Sequence, residues 1–445
     1  MNRRLPFVGY LTAQAVSVTG TRVSTIAIPW FVLTTTGSAT RMGIVAFAEM
    51  APLVILQALA GPLMDRWGAR RVAIAGDLVS VLAVGAVPVA HAAGVLSFPL
   101  LIALVVLAGS LRGPGDAAKH AMLPVLVDQV GLPTERATGV TGAVERGASM
   151  AGAAFAGGLV ALIGPTNALV VDAASFLVSG VVLVLTTKAA ATRRAEQSPV
   201  RTSYVAELRS GWDFMRRDPI LMGIGVMVAV TNLLDAAWSA VLVPVWARDG
   251  GHGVQAVGLL GATFGGAAIL GSVVAAAYGH RLSRYAVYLV GFLLAGVPRY
   301  VALSLDWPWL AILTVAVVGG FASGFLNPLL GAVLFERIPA ELMGRVSSLN
   351  IAMSWSLIPF GGLLGGALVT GFGIAPALLV VGGAYFVTTM VPAVQPRWRE
   401  LDDRRPVVDS SRAVEASQTA TKKTPRRSVG EPVETPVASA HARAE

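Results

Sequence analysis

The sequence predicts an all-α membrane protein in which twelve membrane-spanning helices form two six-helix repeats. Of the 445 residues, 55% are hydrophobic and only 13% are charged. Apolar runs of about twenty residues, the length that crosses a bilayer, recur down the whole chain. Short motifs in the first half also return at matching places in the second. Runs such as PLVILQALAGPLM and FPLLIALVVLAGSL have no polar face for water to wet, so a bilayer is their natural solvent.

The spans fall at about 7–35, 42–64, 71–92, 97–123, 138–162 and 166–187 in the first half, and at about 219–246, 254–279, 285–305, 308–335, 345–370 and 372–393 in the second. The basic start MNRR leads directly into a span too long for a signal core, so the first helix is expected to remain. With the N-terminus inside, seventeen lysines and arginines lie in inner loops and helix ends against three outside, Arg41, Arg248 and Arg299, before ten more in the C-terminal tail. Positive charge kept at the inner face predicts a multi-pass protein of the cytoplasmic membrane with both termini cytoplasmic. The net charge of +9 is read this way, with membrane lipids and not nucleic acid as the partner.

The polar segment 188–218 separates a bundle at 1–187 from a second at 219–395, and 396–445 reads as a disordered tail rich in Arg, Ala, Thr and Pro. The bundles echo each other. LPTERATGV before AFAGGLVALIGP parallels IPAELMGRVSSL before LLGGALVTGFG, setting Pro133 beside Pro339, Glu135 beside Glu341, and Gly157 and Gly158 beside Gly365 and Gly366. DRWGARR similarly parallels HRLSRYA. Two repeats place a site at their interface near the bilayer midplane.

GPLMDRWGARR, residues 61–71, lies between spans two and three. Gly61 admits close packing at the end of span two, Gly68 permits the chain reversal, and the arginines hold the loop at anionic headgroups. Asp65 needs a partner, and the free N–H groups of a helix N-terminus would serve. With Gly61, Leu63, Asp65, Arg66, Gly68, Arg70 and Arg71 in place, the stretch resembles the signature loop of the major facilitator superfamily. AIPWFVLTTTGSA, GPGDAAKHAMLPVLV, VVDAASFLVSG, TNLLDAAWSAVLVPVW and GRVSSLNIAMSWSLIPFGGLLGGAL resemble its drug-exporter branch, which contains macrolide efflux pumps and the enterobactin exporter. The resemblance runs over about residues 5 to 393. It implies the major facilitator fold, with Asp65 clasping the start of span eleven near Gly344 and Arg345 when the cavity opens outward. The chain departs from that branch at Ala153, where the span-five motif has proline after glycine, and at Thr21, where an acidic residue precedes the span-one arginine.

Ionisable groups at membrane depth are costly and therefore mark candidate sites. Counted along the helices at about 1.5 Å per residue, Arg22, Glu49, Asp172 and Asp235 fall in an outer layer. Asp77, Arg112, Asp116, Lys119, Glu145 and Arg146 fall in an inner one, read mainly as structural ion pairs. Equal depth predicts that Glu49 holds Arg22. Asp172 is read as supporting the fold. The candidates for proton coupling are Asp235, Glu49, Arg22 and Arg112, the last in RGPGDAA, which partly resembles the superfamily's span-four motif. Asn232 lies three residues before Asp235 on the same helix face. Asn232, Trp238 and Asn327 are the candidates to line a cavity for an amphiphilic substrate.

No cofactor is expected. The chain has no cysteine, and its five histidines form no ligand spacing, so no metal site is predicted. It also has no GxxxxGK[ST] loop to bind ATP and neither HExxH nor GxSxG, so it is not read as an enzyme. The function expected is a monomeric secondary exporter that moves drugs or other amphiphilic small molecules outward by alternating access, with protons as the coupling ion. A siderophore or secondary-metabolite exporter, or a nutrient importer, is the alternative.

Overall fold

The computed structural model describes residues 4–187, 204–339 and 342–402. Residues 188–203 of the expected linker, Glu341 of the second echo and the tail beyond 402 lie outside the described residues, as does the side chain of Glu135. Twelve helices among the described residues are long and apolar enough to span a bilayer. In chain order they are α1 Leu5–Thr36, α2 Ala39–Ala58, α3 Ala69–Ala92, α4 Phe98–Val130, α5 Arg136–Ile163 and α6 Pro165–Thr186, then α7 Pro219–Asp249, α8 Gly253–Arg281, α9 Arg284–Ser304, α10 Trp309–Arg337, α11 Met343–Phe372 and α12 Ile374–Pro392.

The boundaries follow local chemistry. Gly37, at φ +64°, ends α1 with its N–H on the Leu33 carbonyl, and Ser38 then caps α2 by accepting from the Arg41 N–H. Asp218 caps α7 by accepting from the N–H groups of Ile220 and Leu221, with Pro219 in the first turn where its missing N–H costs nothing. Two spans differ from expectation. Span two was expected to reach residue 64, but α2 stops at Ala58 and a separate short helix, Ala60–Trp67, carries the signature loop. Span four runs to Val130, past its expected end at residue 123.

The two ends of the molecule are called inner and outer after the orientation expected above. Contacts between the first six and the last six helices cluster at the outer end. Thr40 on α2 and Thr370 on α11 share a hydrogen bond of 2.8 Å, and the Arg248 guanidinium donates to the Leu33 carbonyl at 3.3 Å. Val241, Val245 and Val254 pack into the core of the first bundle. Glycine makes the approach possible. A Cβ on Gly43 would lie 2.3 Å from the Gly362 carbonyl oxygen, and one on Gly157 would lie 3.0 Å from the Gly258 Cα. The crossing is reciprocal, since α2 meets α11 and α5 meets α8. Toward the inner end the cores part: Phe7, Val72, Met122 and Leu183 form one cluster, whereas Met215, Leu221, Ile338 and Val346 form another. Gly139, Gly142 and Gly147 on the inner half of α5 face open space.

Candidate transport cavity and its charged pairs

A cavity of about 680 Å³ lies between the bundles. Arg22, Thr25, Ile26 and Pro29 present one face of α1 to it, at helical spacing. Glu49 reaches it from α2, and Asn232, Asp235 and Trp238 reach it from α7. Phe264, Phe292, Arg299, Asn327 and Tyr385 complete the opposite wall from α8, α9, α10 and α12. The expected cavity residues Asn232, Trp238 and Asn327 therefore all line the cavity, and so do three of the four proton-coupling candidates. Arg112 stands just behind Glu49.

The pairing differs from expectation. Glu49 is held by Arg112 at 3.0 Å, not by Arg22, and both side chains of the pair are 9% exposed. Because α4 continues to Val130, Arg112 stands at mid-span instead of near the inner face, and the two-layer assignment fails at this residue. Breaking a buried pair by removing one partner costs about 3–5 kcal/mol, because the other charge is left unmatched. Arg112→Met should therefore lower the melting temperature of the detergent-purified protein sharply, and Arg112→Met combined with Glu49→Gln should recover most of it. A double variant as unstable as the single one would show that the pair is not what holds these helices.

A second pair joins Asp235 to Arg299. Arg299 was expected among the charges of the outer side, but it is in the cavity wall with a side chain only 12% exposed. The backbone of α9 explains the displacement. Its first segment ends at Ala295, Gly296 breaks the helix at a place where a Cβ would lie 2.5 Å from the Tyr385 ring, and Pro298 restarts it without an N–H to donate. Arg299 then enters a cage of four rings, with centroid distances of 4.8 Å to Tyr300, 4.9 Å to Trp238, 5.3 Å to Tyr385 and 5.8 Å to Phe264. Each ring face attracts the cation by about 0.5–2 kcal/mol, which lowers the cost of holding it inside the membrane. Gly296 followed by Pro298 was the sequence signal for this break.

On α7, residues Trp238–Leu242 form a π-helical turn, a bulge that recurs at functional sites. It sets the Trp238 ring edge-on to Tyr300 at 4.9 Å. Asn232 donates to the Ser354 carbonyl at 2.9 Å, beside the interruption of α11 between Trp355 and Ile358. It thus supplies a donor where the broken helix has lost its own. The amide of Asn327 has no partner among the described residues.

Of the remaining inner charges, Asp77, Lys119 and Glu145 find partners within the first bundle. Lys119, 1% exposed, meets Asp77 at 2.7 Å and donates to Ser17 at 3.0 Å, while Ser179 donates to Asp77 at 2.6 Å. Glu145 accepts from Gln14 at 3.0 Å and lies 3.4 Å from His120. Asp172 is fully buried between α1 and α6 and accepts from Ser24 and Ser175.

In the signature loop, Gly68 takes φ +80°, a conformation that favours glycine, as the reversal requires. Arg70 donates to Thr187 and to the Val184 carbonyl, each at 2.9 Å, and so ties the loop to the end of α6. Arg66 and Arg71 are exposed. Gly61 meets nothing within 4 Å, so the close packing expected there is absent in this conformation. Asp65 is exposed and makes no hydrogen bond or ion pair among the described residues, and Gly344 at the start of α11 also faces open space.

A family profile described as transmembrane secretion effector matches residues 5–427. The chain belongs to this family. Among curated proteins, the chain is similar to the multidrug efflux pump Tap of Mycolicibacterium fortuitum, 28% identical over 404 residues that cover 90% of this chain and 98% of Tap. The Tap of Mycobacterium tuberculosis is likewise 28% identical, covering 92% of this chain and 97% of its own. Among solved structures, the nucleoside transporter NupG superposes with a TM-score of 0.69 at 14% identity over 88% of this chain and 98% of that one, a likeness of fold alone. The chain is thus a major facilitator superfamily transporter of small molecules and a multi-pass membrane protein, not an enzyme.

Proposed function

We propose that this protein exports drugs or other amphiphilic small molecules from the cytoplasm by alternating access, driven by protons moving inward, with the bundles at 1–187 and 219–395 rocking about the central cavity. The observation that carries the reading is the shape: the bundles touch at the outer end, part toward the inner end, and enclose a largely apolar cavity with two arginine-paired carboxylates in its walls. The relatives named as multidrug efflux pumps support an outward direction and a broad range of drugs as substrates. In this reading both termini are cytoplasmic, the protein works as a monomer in the cytoplasmic membrane, and Gly61, Asp65, Arg66, Gly68, Arg70 and Arg71 form the gate. The natural chain has no cysteine, which makes a direct test available. Thr40 and Thr370 touch across the outer seam, so T40C combined with T370C should form a disulfide in the resting protein. Oxidation should then stop dye efflux from loaded vesicles, and reductant should restore it. Full efflux from the oxidised, cross-linked protein would exclude opening at the outer seam.

A further inference from the structure

We propose that Arg22 is the docking point for an anionic group on the transported molecule, so that the cavity takes amphiphiles bearing a carboxylate, sulfonate or phosphate beside an apolar body. The proposal rests on reading the cavity as the substrate site. Four charged side chains line it, and three are engaged: Glu49 with Arg112, and Asp235 with Arg299. Arg22 remains. Its guanidinium is exposed to the cavity and makes no hydrogen bond or ion pair among the described residues. Its stem is fixed, because α1 and α5 meet so closely at Gly152 that an added Cβ there would lie 2.9 Å from the Arg22 Cβ.

No neighbour can neutralise it. Arg112 is an electrostatic neighbour of the same sign, and it already holds Glu49. Asp172 accepts from Ser24 and Ser175 on the far side of α1 and does not reach the cavity. A cation at this depth without a counter-charge is costly, and an anion arriving with the substrate removes the cost. The guanidinium presents a planar fork suited to two oxygens of one acid group. Thr25, one turn along the same face, donates its hydroxyl to the Arg22 carbonyl at 2.8 Å and leaves the acid group to the guanidinium, while Phe264, Phe292 and Trp238 offer apolar walls to the rest of the molecule.

The test uses the full chain in nanodiscs of neutral lipid and the fluorescence of three dansyl probes: dansyl-leucine with its carboxylate, dansyl-leucinamide without it, and cationic dansylcadaverine. Wild type should bind dansyl-leucine about tenfold more tightly than the amide, equivalent to about 1.4 kcal/mol. Arg22→Gln should bind both alike with the amide affinity unchanged, so the amide also reports an intact cavity. Arg22→Lys should keep part of the preference, since it retains the charge without the fork. Equal binding of acid and amide by wild type, tightest binding of dansylcadaverine, no binding of either leucine probe, or a preference that survives Arg22→Gln would each overturn the proposal. The wild-type comparison needs no variant to fold. Binding also needs no flux: acid preference without export from vesicles would count against the exporter reading alone, and export without acid preference would count against Arg22 alone.

Discussion

Asp65→Ala should reduce transport about tenfold, and Asp65→Asn by a smaller factor, while leaving the amount of folded protein unchanged. In the present conformation the carboxylate is exposed and has no partner, so its loss should change stability by no more than about 0.5 kcal/mol. In the proposed cycle its task falls in the other state, when the inner end closes. The proposed receiving site is the start of α11, whose N-cap is Leu342 with no side chain capping the first turn, and whose Gly344 leaves the approach clear. Free N–H groups and the helix dipole together favour a carboxylate there by about 1–2 kcal/mol, which is roughly a tenfold shift in the closing equilibrium. Asparagine can cap the helix but lacks the charge, so Asp65→Ala should be worse still. The measurements are efflux from proteoliposomes and the melting temperature of the purified protein. Wild-type transport by a well-folded Asp65→Ala protein would remove the gating role.

Asp235→Asn should abolish uphill, proton-driven efflux while sparing downhill exchange of substrate. A proton carrier must titrate and must be reachable from each side in turn. The Asp235 side chain is 44% exposed in the cavity, whereas that of Glu49 is only 9% exposed and is held by Arg112. Asp235 is therefore the expected carrier and Glu49 the alternative. Protonation would cancel the attraction to Arg299, which retains its four rings, so the pair can open without stranding the cation. Asparagine mimics the neutral carboxyl permanently and uncouples the cycle. Wild type, Asp235→Asn and Glu49→Gln should be compared in liposomes under an inward proton gradient. Equal gradient-driven efflux in all three would clear both residues of the role. Unchanged uphill export after the gradient is collapsed would exclude coupling to protons.

Much of the architecture was legible before any coordinates. Twelve spans were read from apolar run length, a one-dimensional property that the bilayer imposes by its thickness. Gly68 announced its reversal because few other residues take positive φ readily. Asn232, Trp238 and Asn327 were placed on the cavity wall because the spans that carry them line the cavity in the family the sequence resembles. The partners of the charges were not legible. Glu49 and Arg22 agreed in counted depth, yet depth says nothing of which way a side chain points around its helix. A few extra residues at the inner end of α4 were enough to bring Arg112 to Glu49 instead.

Arg299 makes the same division. Counted along the chain, it belonged to the outer side, and only the break at Gly296, the π-helical turn at Trp238 and the arrival of Tyr385 from α12 turned it inward. By itself the sequence determined that this chain crosses a membrane twelve times, where it turns and which residues are too costly to be incidental, because each depends on neighbours along the chain. Which charges neutralise one another, and that Arg22 is left over, was decided only by tertiary structure, because partners distant in sequence meet through helix rotation, tilt and breakage.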